Sequence, residues 1–400
     1  MIADLQRQAD LIAWYRLHHR QLPWRTAPGE ARPDGYSVAV SELMLQQTRV
    51  DTVIDYFKRW KTRWPGWPEL AAADLDEVLG QWTGLGYYNR ARNLHRAAQI
   101  IVADHAGHLP QDAAQLAALP GLGPYTVGAV RSLAFGLPAP LVDGNVVRVL
   151  ARWHAWPQPP AELSKKLWEQ AAIELSAPGP ARSDPPSWNQ ALMELGATVC
   201  TPKKPQCPSC PVAMACLARA QGLQESIPPA KIRTASPDVQ ARYAVVLRPA
   251  GEGAELGCAD ATSDLVLLGQ RPATGRWAGL WEPPGQEGDL QPLAAWIAQT
   301  DLQRLRELPP LQHVLTHRNY LVDSAVFACP PGEIDLTPLG YVAARWLPLG
   351  LALGQTAGLS RLGQRLLEAT LAAPQSEAPT KRRRGRPAKQ PPEQLPLLDA

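Results

Sequence analysis

Two acidic side chains and four thiols are the groups in this sequence whose surroundings fit them for chemistry. Glu42 stands in Val38-Ala-Val-Ser41-Glu42-Leu-Met-Leu-Gln46-Gln47-Thr48-Arg49, the first turn of a helix that Ser41 or Ser37 can cap. A carboxylate in so apolar a turn is costly to ionise, so burial there makes it a proton donor near neutral pH. The plainer alternative is a partner for the helix dipole. Asp143, in Val142-Asp-Gly-Asn145, falls at a helix start, where it serves as N-cap or as a catalytic group. Ahead of it runs Leu119-Pro-Gly121-Leu-Gly123-Pro-Tyr125-Thr-Val-Gly128. Glycines on either side of Leu122 permit a hairpin too tight for a backbone carrying Cβ atoms, and Pro124 presets the next helix. The free N–H groups of that helix form an anion site. In a hairpin with no Lys of its own, the natural anion is one backbone phosphate.

Cys200, Cys207, Cys210 and Cys216 are spaced C-x6-C-x2-C-x5-C, just after Glu194-Leu-Gly-Ala-Thr-Val-Cys200. Thiols so dense point to a metal rather than to disulfides. Tetrahedral sulfur suits zinc or a four-iron cluster, and spacing physics does not choose between them. Either would hold the loop carrying Lys203 and Lys204. Cys258 and Cys329 stand alone and read as ordinary buried residues.

The elements that must position these groups divide the chain. At 400 residues, 45% of them hydrophobic, two or three domains are expected. Residues 1–225 read as helices separated by Gly/Pro turns, with three-to-four spacing over Ala71–Gln81, Ala91–His105, Thr126–Phe135 and Asn189–Cys200. Residues 226–240 read as a linker. From Ala241 the pattern turns to strands at Tyr243–Leu247, Leu265–Leu268 and Tyr320–Phe327, with helices at Leu290–Ile297 and Ser360–Leu371. That makes 241–372 an α+β domain, and 373–400 a disordered basic tail. The tail holds six basic and three acidic residues, the whole of the net +3, so the body must meet any polyanion through local patches and helix ends. No apolar run reaches membrane length and the start, Met1-Ile-Ala-Asp-Leu-Gln, is polar, so a cytoplasmic protein is expected.

Over residues 5–220 the hairpin with its following Asp and the cysteine spacing resemble the endonuclease III superfamily of DNA glycosylases. The Glu42 segment sharpens the resemblance to the A/G-specific adenine DNA glycosylases. The resemblance implies a multidomain fold: an all-α helix-hairpin-helix body with an iron–sulfur loop at 200–216, plus an α+β Nudix-like domain. It implies a 4Fe-4S cluster on Cys200, Cys207, Cys210 and Cys216. The implied partner is double-stranded DNA carrying 8-oxoguanine:adenine or guanine:adenine mispairs, from which adenine is excised. Breaking the N9–C1′ bond builds positive charge on the sugar, so one carboxyl group must protonate the base and an ionised one must face the cation. By carry-over, Glu42 protonates adenine N7, Asp143 stabilises the cation, and Tyr125 and Asn145 orient the site. In the lyase members a Lys occupies the position of Tyr125 and forms a Schiff base, so this chain is expected to leave the strand uncut.

The resemblance also supplies DNA contacts. Trp24, Arg25 and Gln190 would line the adenine pocket, and Gly121 and Gly123 would meet a phosphate. Gln47, Thr48, Leu85 and Tyr87 would fill the gap and stack once the base is flipped, against a plainer reading of Leu85 and the tyrosines as core. Arg90 and Arg92 would reach phosphates or form a solvated face. In the second domain, Arg271-Pro-Ala-Thr-Gly-Arg-Trp-Ala-Gly-Leu-Trp281-Glu-Pro-Pro-Gly285 resembles the Nudix-like segment. The run after Gly285, Gln-Glu-Gly-Asp-Leu-Gln-Pro-Leu-Ala-Ala-Trp296, lacks the Arg-Glu-x-x-Glu-Glu helix that binds Mg²⁺. Reading the opposite base, not phosphohydrolysis, is expected. The reading loop, Leu311-Gln-His-Val-Leu315-Thr316-His317, keeps a hydroxyl and a His where the family has Phe-Ser-His, and loses the ring. In the tail, Lys381–Pro387 is similar to an AT-hook, and Gln394-Leu-Pro-Leu-Leu398 resembles a bacterial sliding-clamp peptide. A nucleoid-associated bacterial monomer is expected. Two other readings stand beside this one: a glycosylase/lyase on oxidised or mismatched pyrimidines, disfavoured by Tyr125, and a non-catalytic iron–sulfur DNA-binding protein, disfavoured by the paired carboxylates.

Overall fold

Aspartates set the helix starts in the N-terminal half: Asp34, Asp74, Asp112, Asp143 and Asp184 each accept backbone N–H groups at the head of a helix. The computed structural model describes residues 2–27, 29–230, 236–251, 256, 261–354 and 357–372. The expected basic tail, with its AT-hook-like run and clamp-like peptide, lies outside the described residues.

The helices run α1 (Ile2–His18), α2 (Gly35–Leu45), α3 (Val50–Arg63), α4 (Trp67–Ala72), α5 (Leu75–Trp82), α6 (Asn89–Asp104), α7 (Ala113–Ala118) and α8 (Pro124–Ala129). After a π-helical turn at Val130–Ala134 come α9 (Gly144–Trp153), α10 (Pro160–Ser176), α11 (Pro180–Ser183), α12 (Pro185–Thr198) and α13 (Leu217–Ala220). One apolar core joins them, with Trp60, Trp82 and Trp188 fully buried. The periodicity over 71–81 is not one helix, because Asp74 caps a second start and splits it into α4 and α5. Nor do Ser37 and Ser41 cap α2. Asp34 does so, accepting from Ser37 N, while Ser37 Oγ donates to Asp34 and Ser41 Oγ to Val38 O. Glu42 therefore lies two turns into α2, away from the helix dipole's positive end.

The second half is β1 (Asp238–Arg248), β2 (Leu265–Gln270), β3 (Trp281–Glu282), β4 (Gly285–Glu287), α14 (Gln291–Gln299), β5 (Gln303–Val314), β6 (Asn319–Ala328), β7 (Ala343–Pro348), α15 (Leu349–Leu353) and α16 (Arg361–Leu371). The strands form a mixed sheet of order β3-β2-β1-β6-β5, with β4 on β1, β7 on β2, and β1 and β6 parallel. One face packs Val245, Leu268 and Val322 against Leu362 and Leu366 of α16, and the other packs Val246 and Phe327 against Leu293 and Trp296 of α14. β1 begins at Asp238, inside the stretch expected to be linker. Sequence patterning missed β5 because it is a polar edge strand interrupted at Pro309-Pro310, where the register shifts between Leu308 and Leu311.

The two halves meet on α5. Asp76 accepts from Trp281 Nε1 at 2.9 Å and Arg345 Nη1 at 3.0 Å, and Arg345 lies 3.8 Å over the Trp281 ring. Past its other end, Thr83 Oγ1 and Tyr88 OH both donate to Leu359 O, at 3.2 and 3.3 Å. Gripping α5 at both ends fixes the adjoining segment Gly84–Tyr88.

Candidate active site

Glu42 projects from α2, Tyr125 from α8, and Asp143 from the head of α9 into one cavity of about 580 Å³. The hairpin before α8 makes this convergence possible. At Gly121 φ is +82° and a Cβ would lie 2.9 Å from Asn93 Cβ, so glycine is required. Gly123, by contrast, has φ −74° and open space around it, a conformation any residue adopts.

Burial pushes the Glu42 carboxyl up from about 4.5 to about 7, and the nearby charge of Asp143 acts in the same direction. Tyr125 OH opposes the rise by donating to Glu42 Oε2 at 2.5 Å. The Tyr125 phenol is itself held well above its ordinary value by burial and so stays a donor. Asp143 doubles as helix cap: Oδ1 accepts from Asn145 N at 2.9 Å and Val146 N at 2.7 Å, and Oδ2 from Asn145 Nδ2 at 2.9 Å. Burial raises its pKa, and these donors pull the other way. Asn145 Oδ1 accepts from Arg148 Nη2 at 2.9 Å, whose Nε reaches Cys200 O at 2.6 Å.

Trp24, Arg25, Gln47, Thr48 and Gln190 line the same cavity. Arg25 is held by Glu194 Oε2 at 2.9 Å, and the same fully buried carboxylate binds Arg20 at 2.7 and 3.0 Å. Sequence reasoning passed over Glu194. An acid within the apolar run Ala-Leu-Met-Glu-Leu was the available signal.

Of the other expected contacts, Tyr87, Thr316 and His317 line a second cleft of about 490 Å³ between the halves, whereas Leu85, Gly121 and Gly123 do not. Gln47, Tyr87 and Arg92 come from the helical side and Trp277, Thr316 and His317 from the sheet side; among the described residues no acidic one lines it. Tyr87 OH and Thr316 Oγ1 are hydrogen-bonded across it at 3.0 Å. Gln47 (φ +58°) and Tyr87 (φ +48°) both adopt the left-handed conformation, at a cost of about 1–3 kcal/mol each. Arg90 explains how they are held. It is not a phosphate contact: it is 8% exposed and donates to the carbonyls of Leu43, Gln46 and Leu85, at 2.6, 2.6 and 3.0 Å, bracing the two turns together. Leu85 is likewise not an exposed wedge. At 6% exposure it is packed into the helical core, and its neighbour Tyr87, 44% exposed, is what reaches the surface.

Cys200, Cys207, Cys210 and Cys216 gather around one void against Leu195 and Val199. Arg152, 2% exposed, directs Nη1 to Cys200 Sγ at 3.2 Å and to Thr201 O at 2.8 Å, tying the loop to α9. Among the described residues no three potential ligands converge on a single ion site. Four thiols around a shared void, with a guanidinium beside one sulfur, fit a multi-atom anionic cluster.

Residues 40–172 match the family described as HhH-GPD superfamily base excision DNA repair protein, and residues 259–369 match the NUDIX domain. Converging carboxylates on such a helical body, joined to a Nudix-type sheet, define a DNA glycosylase of base excision repair. The chain is 38% identical to the adenine DNA glycosylase of Mus musculus, across 86% of this chain and 75% of that protein. It is 38% identical to that of Homo sapiens, across 78% and 64% respectively. A solved thermostable thymine-DNA glycosylase gives a TM-score of 0.47 at 26% identity, over 55% of this chain and 98% of that one. The chain belongs to the adenine DNA glycosylase family. Among the described residues no helix is long and apolar enough to cross a membrane.

Proposed function

We propose that this protein hydrolyses the N-glycosidic bond of adenine mispaired with 8-oxoguanine or guanine and leaves the strand uncut. The observation that carries the reading is Glu42, buried, hydrogen-bonded to Tyr125, and sharing its cavity with the capped carboxylate of Asp143. An adenine inside a duplex is out of reach, so it is flipped out, at a cost of a few kcal/mol, into the cavity lined by Trp24, Arg25 and Gln190. Glu42 gives its proton to N7. The C1′–N9 bond breaks with its electron pair leaving on the base, and Asp143, oriented by Asn145, faces the cationic sugar until water adds at C1′. Tyr125 has no amine with which to attack C1′, so no Schiff base forms and the abasic strand persists.

The opposite base is read in the second cleft. A Thr316 hydroxyl accepts from the N7–H of 8-oxoguanine, where guanine's N7 is itself an acceptor. His317, Tyr87 and Gln47 complete that reading, Thr48 contacts the DNA from the first cavity, and the Gly121–Gly123 turn takes a phosphate. The enzyme acts as a monomer in the cytoplasm, at the nucleoid. Residues 1–225 form the catalytic body and the sheet domain up to 372 the lesion reader. Incubation with an 8-oxoguanine:adenine duplex is expected to give strand breaks at adenine only after alkali. Breaks without alkali would make it a lyase, and intact DNA a binding protein.

Cys200, Cys207, Cys210 and Cys216 would hold a 4Fe-4S cluster, which when bound pins the 200–216 loop against α9. Purified protein is expected to be brown, with about four irons per chain. Colourless protein with a single zinc would overturn that assignment.

A further inference from the structure

Trp277 sits in the loop between β2 and β3 with φ +53°, flanked by Gly275 at +88° and Gly279 at +61°. So large a side chain adopts that conformation only where its surroundings require it. Two guanidinium groups flank the ring, Arg271 at 5.2 Å and Arg276 at 5.7 Å from a ring centroid. Both are anchored: Arg271 Nε donates to the buried Glu282 at 2.7 Å, and Arg276 is paired with Glu287.

The ring's other neighbours are Tyr320, at 5.4 Å between centroids, and His313, at 6.2 Å. These two are opposed in register one pair before the turn of the β5–β6 hairpin, whose tip carries Leu315, Thr316 and His317. Trp277 also packs against the cores of both halves and lines the cleft with Tyr87 and Thr316. The tip itself contributes no Phe, Tyr or Trp ring; it is held by Leu315 packing against the sheet-side core, by Ser236 Oγ donating to the Thr316 carbonyl, and by the Tyr87–Thr316 hydroxyl contact across the cleft.

We propose that Trp277 is a positioning residue that seats the β5–β6 hairpin in the cleft and so sets the enzyme's preference for a lesion over undamaged guanine opposite adenine. This rests on the second cleft being where the opposite base is read. A shift of the hairpin by a fraction of an ångström would weaken the Thr316 and His317 contacts, which favour the lesion, more than it would weaken the common grip on the duplex.

The test is single-turnover excision on 8-oxoguanine:adenine and guanine:adenine duplexes, with Tm recorded for each protein. Trp277→Ala is expected to lower the ratio of the two rates about tenfold, the scale of one good base contact, and Trp277→Phe to recover most of it. Thr316→Val with His317→Ala is expected to lower the same ratio directly. A Trp277→Ala ratio equal to wild type, with the loop variant's ratio lowered, would overturn the role of Trp277 and leave the reading cleft intact. If neither variant lowers the ratio, both fall. Equal losses on the two duplexes would mean that the ring only holds the halves together, which also overturns the proposal.

Discussion

Glu42→Gln is expected to slow adenine excision by at least about a hundredfold under single-turnover conditions while the mispaired duplex still binds. The amide keeps the size and planarity of the carboxyl group, and its oxygen still accepts from Tyr125, so the cavity keeps its shape. It lacks the proton that N7 must receive. The pH profile carries the same information. With the carboxyl pushed up to about 7, the wild-type rate should fall as pH rises through about 7. Because Tyr125 holds that value down, Tyr125→Phe should move the falling limb to higher pH. Linkage supplies a check independent of catalysis. A carboxyl raised from about 4.5 to about 7 contributes stability that is complete below 4.5 and is lost as pH rises through 7. Glu42→Gln has no such dependence, so its Tm relative to wild type should be higher at pH 8 than at pH 5. A rate near wild type would reduce Glu42 to a buried structural acid.

Asp143→Asn separates the two jobs that one side chain performs. As an N-cap, Asn is as good as Asp, so a role confined to capping α9 predicts little change in Tm or activity. A role facing a cationic sugar predicts a fall in the excision rate of about 10²–10³, the scale seen when one charge-stabilising group is removed from an active site. The expected result is the second, with Tm close to wild type. Only Oδ2 loses its function in the variant, since an amide nitrogen cannot accept from Asn145 Nδ2. Asn145 is then free to turn from Arg148, so a modest further loss through misorientation is expected. Crystallography of the variant would show it as a broken Asn145–Arg148 contact.

Local chemistry made much of this protein legible in one dimension. The Gly/Pro hairpin, the acid at a helix start and the four closely spaced cysteines are short-range patterns, because turn geometry, capping and metal ligation depend on residues a few positions apart. The change from three-to-four spacing to alternation announced a helical body followed by an α+β domain for the same reason. Tertiary packing decided the rest. Nothing near Arg90 in the chain marks it as the brace of two distant turns, because its acceptors lie over Leu43–Gln46 and Leu85–Gly86. Leu85 reads as a wedge beside two tyrosines until the core that buries it is assembled. Glu194 matters through Arg20 and Arg25, and Asp76 through Trp281 and Arg345, partners far away in sequence. The near-neutral pKa of Glu42 belongs to this second class. Its residue type and apolar neighbours are local, but desolvation, the charge of Asp143 and the hydroxyl of Tyr125 meet it only when α2, α8 and α9 close around one cavity.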